Sequence, residues 1–483
     1  MESSLEIESG IPLVNSYDLS AWLYRAETLF EHRVDSDRWL IFAPDHSGLP
    51  VLLTNDLYAL LHRFDDGACV GGILSAQPNF LASVHAVSAL EEHGFLRGRP
   101  ARLPYIVPPR SEERGDISVW LHITNACNLK CSYCFVGEKT NEGMDPDVMQ
   151  LVARNIRTTT DRYGTGKVHI KFAGGEPTAF VPRMRRFREV LLREMEGSAT
   201  RVQFGMLSNG TLVNDRLIDF LKEIDAGISI SVDGFGEAHD IYRVYASGKG
   251  SWDIVSRNVQ RLVEAGIHPY ITPTISEASC HTLPDLVRWI YGLGLHARLQ
   301  VVRNPGSSWA GGDRRAEYQA MNAKLAAAFD EAFTALEGPD TFIDLRYGLE
   351  ICELNFEHPS AGVTCGIGDN HLVIKPDGTL ASCPMTVMDK GVSCSGDLFE
   401  AAAKTFEHTP QERHFEREED DCLHCQWFGV CAGGCPITNL RVKGHAFTRS
   451  PLCSFYKAVI PRYLRFYGTK MVQAERRAAQ SIH

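Results

Sequence analysis

The sequence predicts an α/β protein. Its centre is a partial (β/α)6 barrel, flanked by a small N-terminal winged-helix-like domain and a cysteine-rich C-terminal domain. Three observations carry this. Six short apolar runs alternate with helix-like stretches between about residues 117 and 305. Gly-rich or polar loops follow the first four runs. Cysteines gather in two places, at 127–134 and at eight positions between 365 and 453.

Composition bounds the reading. The chain has 483 residues, 44% hydrophobic and 23% charged, which are ordinary values for a globular protein of about two to four domains. The net charge of −11 argues against nucleic-acid binding, which needs basic stripes. No run is long and apolar enough for a membrane span, and "MESSLEIESG" lacks the features of a secretory signal. A cytoplasmic protein is expected, whose 14 cysteines serve metals or catalysis rather than disulfides.

The N-terminal domain spans 1–100. "RWLIFAP" and "PVLLT" read as strands joined by "DHSG", and Asn55 is placed to cap the helix "DLYALLHRF". In "FLASVHAVSALEEHGFL", Leu81, Val84, Val87 and Leu90 recur at helical spacing, and Gly94 ends the helix. With 14 acidic residues against 6 arginines and no lysine, a peptide or protein partner fits better than DNA. The proline-rich stretch at 101–116 reads as a linker.

The barrel is expected over 117–310. Its strands are "ISVWLHI", "VHIKFA", "RVQFGML", "GISISV", "HPYITPTI" and "ARLQVV". In such sheets the reacting groups sit at the C-terminal strand ends. "CNLKCSYCF", "GGEP", "SNGT" and "DG" follow the first four strands in order, so four loops converge on one rim. A helical connector is expected over 311–345, the cysteine-rich domain over 346–460 with a "PDG" hairpin in "LVIKPDGTLASC", and a surface helix or frayed tail over 461–483.

Cys127, Cys131 and Cys134 lie on one loop with three and two residues between them. A [4Fe–4S] cube takes four ligands, so three thiolates leave one iron open. A zinc completed by His122 is the alternative. The pattern Cys127, Cys131, Tyr133, Cys134 resembles the signature of radical S-adenosylmethionine (SAM) enzymes. The resemblance implies that SAM chelates the open iron and that Tyr133 lies against its adenine. It further implies that Gly174, Gly175 and Glu176 serve the SAM amino group. Ser208, Asn209, Ser231 and Asp233 would serve the ribose, and Arg243 of "HDIYR" the carboxylate. Glycines at 174–175 also suit close backbone approach to a ligand. The chemistry implied is reductive cleavage of SAM to a 5′-deoxyadenosyl radical, which takes hydrogen from an unactivated carbon.

The later cysteines run Cys365-x12-Gly378-x4-Cys383, then Cys422-x2-Cys425-x5-Cys431-x3-Cys435, then Cys453 after 17 residues. This resembles the SPASM domain of radical SAM maturases and implies two auxiliary [4Fe–4S] clusters, three in all. Cys422, Cys425, Cys431 and Cys453 would hold the second; Cys365, Cys383 and Cys435 would hold the first. That set is one thiol short. Cys352 is the first candidate to complete it and Cys394 the second; otherwise an iron stays open for substrate. Zinc ribbons use similar spacings and are the alternative.

The N-terminal region is similar to the RiPP recognition element, a winged helix that adds a leader peptide to its sheet edge. Together the parts resemble a peptide maturase. The implied reaction is an oxidative cross-link, thioether or C–C, within a ribosomally made precursor peptide. A flavodoxin- or ferredoxin-type reductant is implied as partner. Three rivals remain: a formylglycine-generating sulfatase maturase, an enzyme acting on a small molecule or folded subunit, and a non-catalytic electron carrier or zinc scaffold. In the first, an aspartate after the second SPASM cysteine acts as base; here Pro384 follows Cys383. "RMRRFR" at 183–188 and "EREEDD" at 416–421 read as solvated charge, and neither His281 nor His424 reads as a metal ligand.

Overall fold

A computed structural model describes residues 17–99 except 47, 116–303 except 138, 315–338, 341, 343, 349–357, 365, 370–405 except 395, and 422–480. The expected linker, bar Asp116, and the 416–421 run lie outside these residues.

The N-terminal domain runs β1 (Trp22–Arg25), β2 (Phe30–Arg33), β3 (Arg38–Phe42), β4 (Val51–Thr54), α1 (Asn55–Leu61), β5 (Ala68–Cys69), α2 (Val70–Ser75), α3 (Phe80–Glu92) and β6 (Leu96–Arg97). The two expected strands are β3 and β4. A third, β2, completes an antiparallel sheet β2-β3-β4, and β5-β1-β6 form a second, smaller one. Two local expectations are corrected. Thr54, not Asn55, caps α1, because its hydroxyl accepts from Leu57 N–H. Asn55 instead accepts from the Trp39 indole and donates to Ser36 O. Leu81 is 63% exposed, since the inward stripe of α3 begins at Val84.

Strand β3 shows why this domain does not stand apart. Side chains alternate across a strand. Ile41 enters a core with Val51, Leu53 and the domain's own helices. Leu40 and Phe42 face the other way and join the main core of the molecule.

The barrel runs β7 (Ile117–Thr124), α4 (Pro146–Tyr163), β8 (Lys167–Gly174), α5 (Val181–Glu194), β9 (Arg201–Ser208), α6 (Asp215–Glu223), β10 (Gly227–Ile230), α7 (Glu237–Asp240), α8 (Trp252–Glu264), β11 (Tyr270–Ile271), β12 (Thr274–Ile275), α9 (Leu283–Gly292) and β13 (His296–Val301). Caps delimit the helices. Asp145 accepts from Val148 N–H at the start of α4, with Pro146 at its first position, and Gly164 ends it at φ +59°. The sheet order β12-β13-β11-β10-β9-β8-β7 is parallel and open. The expected fifth strand splits into β11 and β12 at Pro273, which has no N–H for the ladder. On α5, Met184 and Phe187 are buried, while Arg185 and Arg186 face outward.

The remaining elements are α10 (Arg315–Leu336), β14 (Leu349–Ile351), β15 (His371–Ile374), β16 (Leu380–Ala381), α11 (Leu398–Ala403), α12 (Phe428–Cys431), α13 (Pro436–Lys443) and α14 (Cys453–Gln480). The "PDG" hairpin forms as β15–β16, with Gly378 at φ +80°. Its first strand also pairs in parallel with β7, and β14 pairs in parallel with β13. The C-terminal region therefore extends the barrel sheet at both sides. The helix expected over 461–483 forms, for its described part, as the end of α14, and its inner face is buried rather than on the surface. Helix α14 starts at Cys453 and buries Phe455, Tyr456, Ile460, Leu464, Met471 and Val472. Its end grips the N-terminal domain: Arg476 pairs with Asp35 at 2.6 Å and Arg38 with Glu475 at 3.4 Å.

Candidate metal centres and active site

Strands β7 to β10 end on one rim. The loop after β7 carries Cys127, Cys131 and Cys134, all partly buried free thiols. Backbone bonds lock this loop to the end of β8. Gly175 N–H donates to Thr124 O and Glu176 N–H to Ala126 O, both at 2.8 Å. A Cβ on Gly174 would lie 2.0 Å from Thr124 O, and one on Gly175 2.1 Å from Ala126 O. The expectation that these glycines make room for a ligand is corrected in part. The neighbouring loop takes that room, and Gly174 also sits at φ +125°.

Glu176 is fully buried and ties β8 to β9. It accepts from Thr178 N–H, from the Thr178 and Ser208 hydroxyls at 2.5 and 2.9 Å, and from Asn209 N–H at 2.7 Å. Burial raises its pKa against the pull of these donors. Asn209 reaches back to the thiol loop. Its Nδ2 donates to Asn128 Oδ1 at 2.9 Å and lies 3.8 Å from Cys127 Sγ. Ser231, half-buried, gives its N–H to Ser208 O. Lys139 Nζ donates to Cys134 Sγ at 2.8 Å.

A second cluster stands beside the thiols. Asp233 is fully buried. It accepts from the Tyr133 hydroxyl, from Arg243 Nε at 2.8 Å and from Thr274 N–H at 3.2 Å. The Arg243 guanidinium also lies over the Tyr133 ring, 5.7 Å from its centre. His239 holds this group from behind. Its Nδ1 accepts from Asp233 N–H and its Nε2 meets Ser251 Oγ at 3.0 Å. Burial lowers its pKa to about 3, so the ring is neutral. Burial pushes the Cys131 thiol up to about 11, although the nearby Arg243 pulls it down.

The later cysteines assemble as two groups. Cys422, Cys425, Cys431 and Cys453 line a recess with Trp427, Tyr456 and Lys457. Burial pushes Cys431 up to about 12, and the other three thiols each add to the shift. Cys383 is likewise raised to about 12, by burial first and then by Cys435 and Cys365. Cys352 sits beside the same group, where Arg303 Nη2 donates to its Sγ at 2.8 Å and the Arg303 charge also acts on Cys435. Cys394 is not there. It is buried in the main core, its carbonyl bonded to Asn155 of α4. Phe135, next to Cys134, packs with Cys383, Met385, Ile437 and Cys435, so the rim loop touches the first C-terminal group.

The donor chemistry fits iron–sulfur clusters. Desolvated thiols facing one another resist ionisation until a positive centre compensates them. His122, the candidate fourth zinc ligand, is 4% exposed with its Nδ1 unbonded, and burial lowers its pKa to about 4.

Sequence reasoning missed Lys139, Asn128, His239, Arg303, Glu353 and Tyr456 as parts of these sites. Only Asn128 and His239 lay within quoted motifs. Arg303, Glu353 and Tyr456 carry no spacing signal, because their partners are distant in the chain, and Lys139, five residues after Cys134, belongs to no motif.

This architecture is that of a radical SAM domain. Residues 121–289 match the radical SAM superfamily, from within β7 to within α9. The chain is 23% identical over 324 residues to the cysteine-type anaerobic sulfatase-maturating enzyme of Clostridium novyi, covering 64% of this chain and 84% of that one. It is 24% identical over 353 residues to the antilisterial bacteriocin subtilosin biosynthesis protein AlbA of Bacillus subtilis, covering 69% and 70%. A match to an uncharacterized protein of Methanocaldococcus jannaschii, 27% identical, covers 36% of this chain and 58% of that protein's length. Native anSMEcpe with bound AdoMet has a TM-score of 0.54 at 18% identity, covering 74% of this chain and 99% of that one. That likeness is one of fold. No helix among the described residues is long and apolar enough to cross a membrane.

Proposed function

We propose that this chain is a radical SAM enzyme that matures a ribosomally made peptide by installing an oxidative intramolecular cross-link, thioether or C–C. The observation that carries the reading is the convergence of three thiol groups, the rim triplet and two C-terminal sets, with Phe135 between the triplet and the first set. In this reading Cys127, Cys131 and Cys134 hold one cube and leave an iron for SAM. Cys365, Cys383, Cys435 and Cys352 hold the first auxiliary cube. Cys422, Cys425, Cys431 and Cys453 hold the second. When bound, the rim cluster and SAM supply a 5′-deoxyadenosyl radical that takes a hydrogen atom from the peptide.

The chain's part is placement. Lys139 and Asn209 offer N–H donors to ligating sulfurs. Glu176, Ser208 and Asn209 knit the rim loops, and Gly174 and Gly175 let the thiol loop close against β8, so the rim that faces SAM is held rigid. Asp233 fixes Tyr133 as a flat wall for the adenine and Arg243 as a cation for the carboxylate. The N-terminal sheet takes the leader peptide, and a flavodoxin- or ferredoxin-type protein supplies electrons.

Anaerobically reconstituted full-length protein is expected to hold about 12 irons. With SAM, reductant and a candidate precursor peptide taken from the neighbouring reading frames, it is expected to give a product lighter by two hydrogens. Iron near four per chain, or 5′-deoxyadenosine release that survives replacement of all three rim cysteines by Ala, overturns the reading. The sulfatase-maturase relatives favour a second reading, formylglycine formation. Pro384 at the base position weighs against it, and a hydrazide-reactive aldehyde in the product would establish it.

A further inference from the structure

The two C-terminal thiol groups are joined by a buried polar chain. Arg303 lies two residues after the end of β13, and its side chain is 19% exposed. Its Nη2 donates to Cys352 Sγ at 2.8 Å, and its Nε lies 2.6 Å from Glu353 Oε1. The other oxygen of Glu353 accepts from the Tyr456 hydroxyl. Tyr456 lines the recess of Cys422, Cys425, Cys431 and Cys453. The chain therefore runs from one thiol group to the other through three side chains.

Two features go beyond a self-satisfied ion pair. A guanidinium paired with a carboxylate ordinarily engages it through two parallel N–H bonds. Here one arm goes to a thiol instead, and the second carboxylate oxygen goes to a phenol. Glu353 is also held at φ +77°, a left-handed backbone that non-glycine residues rarely adopt. The surrounding structure keeps that conformation and sets its carboxylate between Arg303 and Tyr456.

We propose that Arg303 is a positioning residue that holds Cys352 against the first thiol group and raises the reduction potential of the iron–sulfur cluster bound there. Glu353 and Tyr456 hold the guanidinium in place. The inference rests on the reading that Cys365, Cys383 and Cys435 bind such a cluster. A guanidinium stays charged throughout the working pH range. A fixed positive charge bonded to a ligating sulfur favours the reduced cluster, which carries one more electron. Glu353 moderates that charge, so removing its carboxylate moves the potential the opposite way.

The test is a redox titration, followed by electron paramagnetic resonance, of reconstituted full-length protein. Its rim cysteines are changed to Ala so that only C-terminal signals remain. Loss of about four irons in Cys383→Ala and Cys435→Ala establishes the underlying cluster; full iron in both defeats that reading by itself. With the cluster established, Arg303→Met is expected to lower one midpoint by at least tenfold in the reduction equilibrium, about 59 mV for one electron. Arg303→Lys restores part of the shift, and Glu353→Gln raises the same midpoint. A fully loaded Arg303→Met protein with unchanged midpoints overturns the proposal. If Arg303→Met does not load iron, an unchanged midpoint in Glu353→Gln overturns it equally.

Discussion

The rim triplet and the second C-terminal thiol group solve opposite problems. The rim thiols sit on one loop between ordered strands, partly exposed, with donors from Lys139 and Asn209 aimed at their sulfurs. The C-terminal four come from short turns, α12 and the first residue of α14, and Cys431 has the other three as its neighbours. One arrangement has three thiols, two of them met by side-chain N–H donors. The other has four thiols that complete each other. The difference teaches that one strand-end loop can gather three thiols, whereas four are brought together only by separate turns and helices meeting in the tertiary fold.

The sharpest way to break this comparison is one substitution in each group. Cys131→Ala and Cys431→Ala are each expected to lower bound iron by about four per chain. Only Cys131→Ala should abolish 5′-deoxyadenosine formation. If Cys431→Ala abolishes it as completely, the two groups do not differ in the way described. A smaller effect is expected at Gly175. Its Cβ would meet the Ala126 carbonyl at 2.1 Å, so Gly175→Ala must displace the thiol loop. A stability loss of about 1–3 kcal/mol is expected, with SAM affinity at least tenfold weaker. Retained affinity by calorimetry would show that the loop tolerates the shift.

The smallest effect concerns pH. His122 ionises near 6.5 in the unfolded chain but only near 4 when folded, because burial disfavours its charge. Below pH 6.5 the unfolded state therefore binds more protons. The penalty is absent above pH 6.5, grows as the pH falls and levels off below about 4, at most on the order of 3 kcal/mol. Urea midpoints between pH 7.5 and 5 should fall less steeply in His122→Gln than in the parent. Identical slopes would place the acid sensitivity elsewhere.

Much of the centre was legible in advance. Apolar runs placed the barrel strands, and Cys422, Cys425, Cys431 and Cys453, grouped by the SPASM resemblance, line one recess. What failed did so for particular reasons. Asn55 looked like a cap, but Thr54 one residue earlier had the right backbone. Leu81 matched the period of α3, yet its turn overhangs the domain. Cys394 lay between the right cysteines in sequence and packs against α4 instead. The C-terminal stretch looked like a tail until its apolar face met the N-terminal sheet.

By itself the sequence determined the periodic elements, the order of the rim loops and the thiol-rich stretches, because these depend on residues a few positions apart. Only the tertiary structure decided how the side chains are used. Glu176 is consumed by the neighbouring loops, Tyr133 finds Asp233 100 residues away, and Tyr456 finds Glu353 103 residues away. Such partners meet because separate strands and helices bury a common core. No local pattern encodes which buried polar groups that burial will bring together.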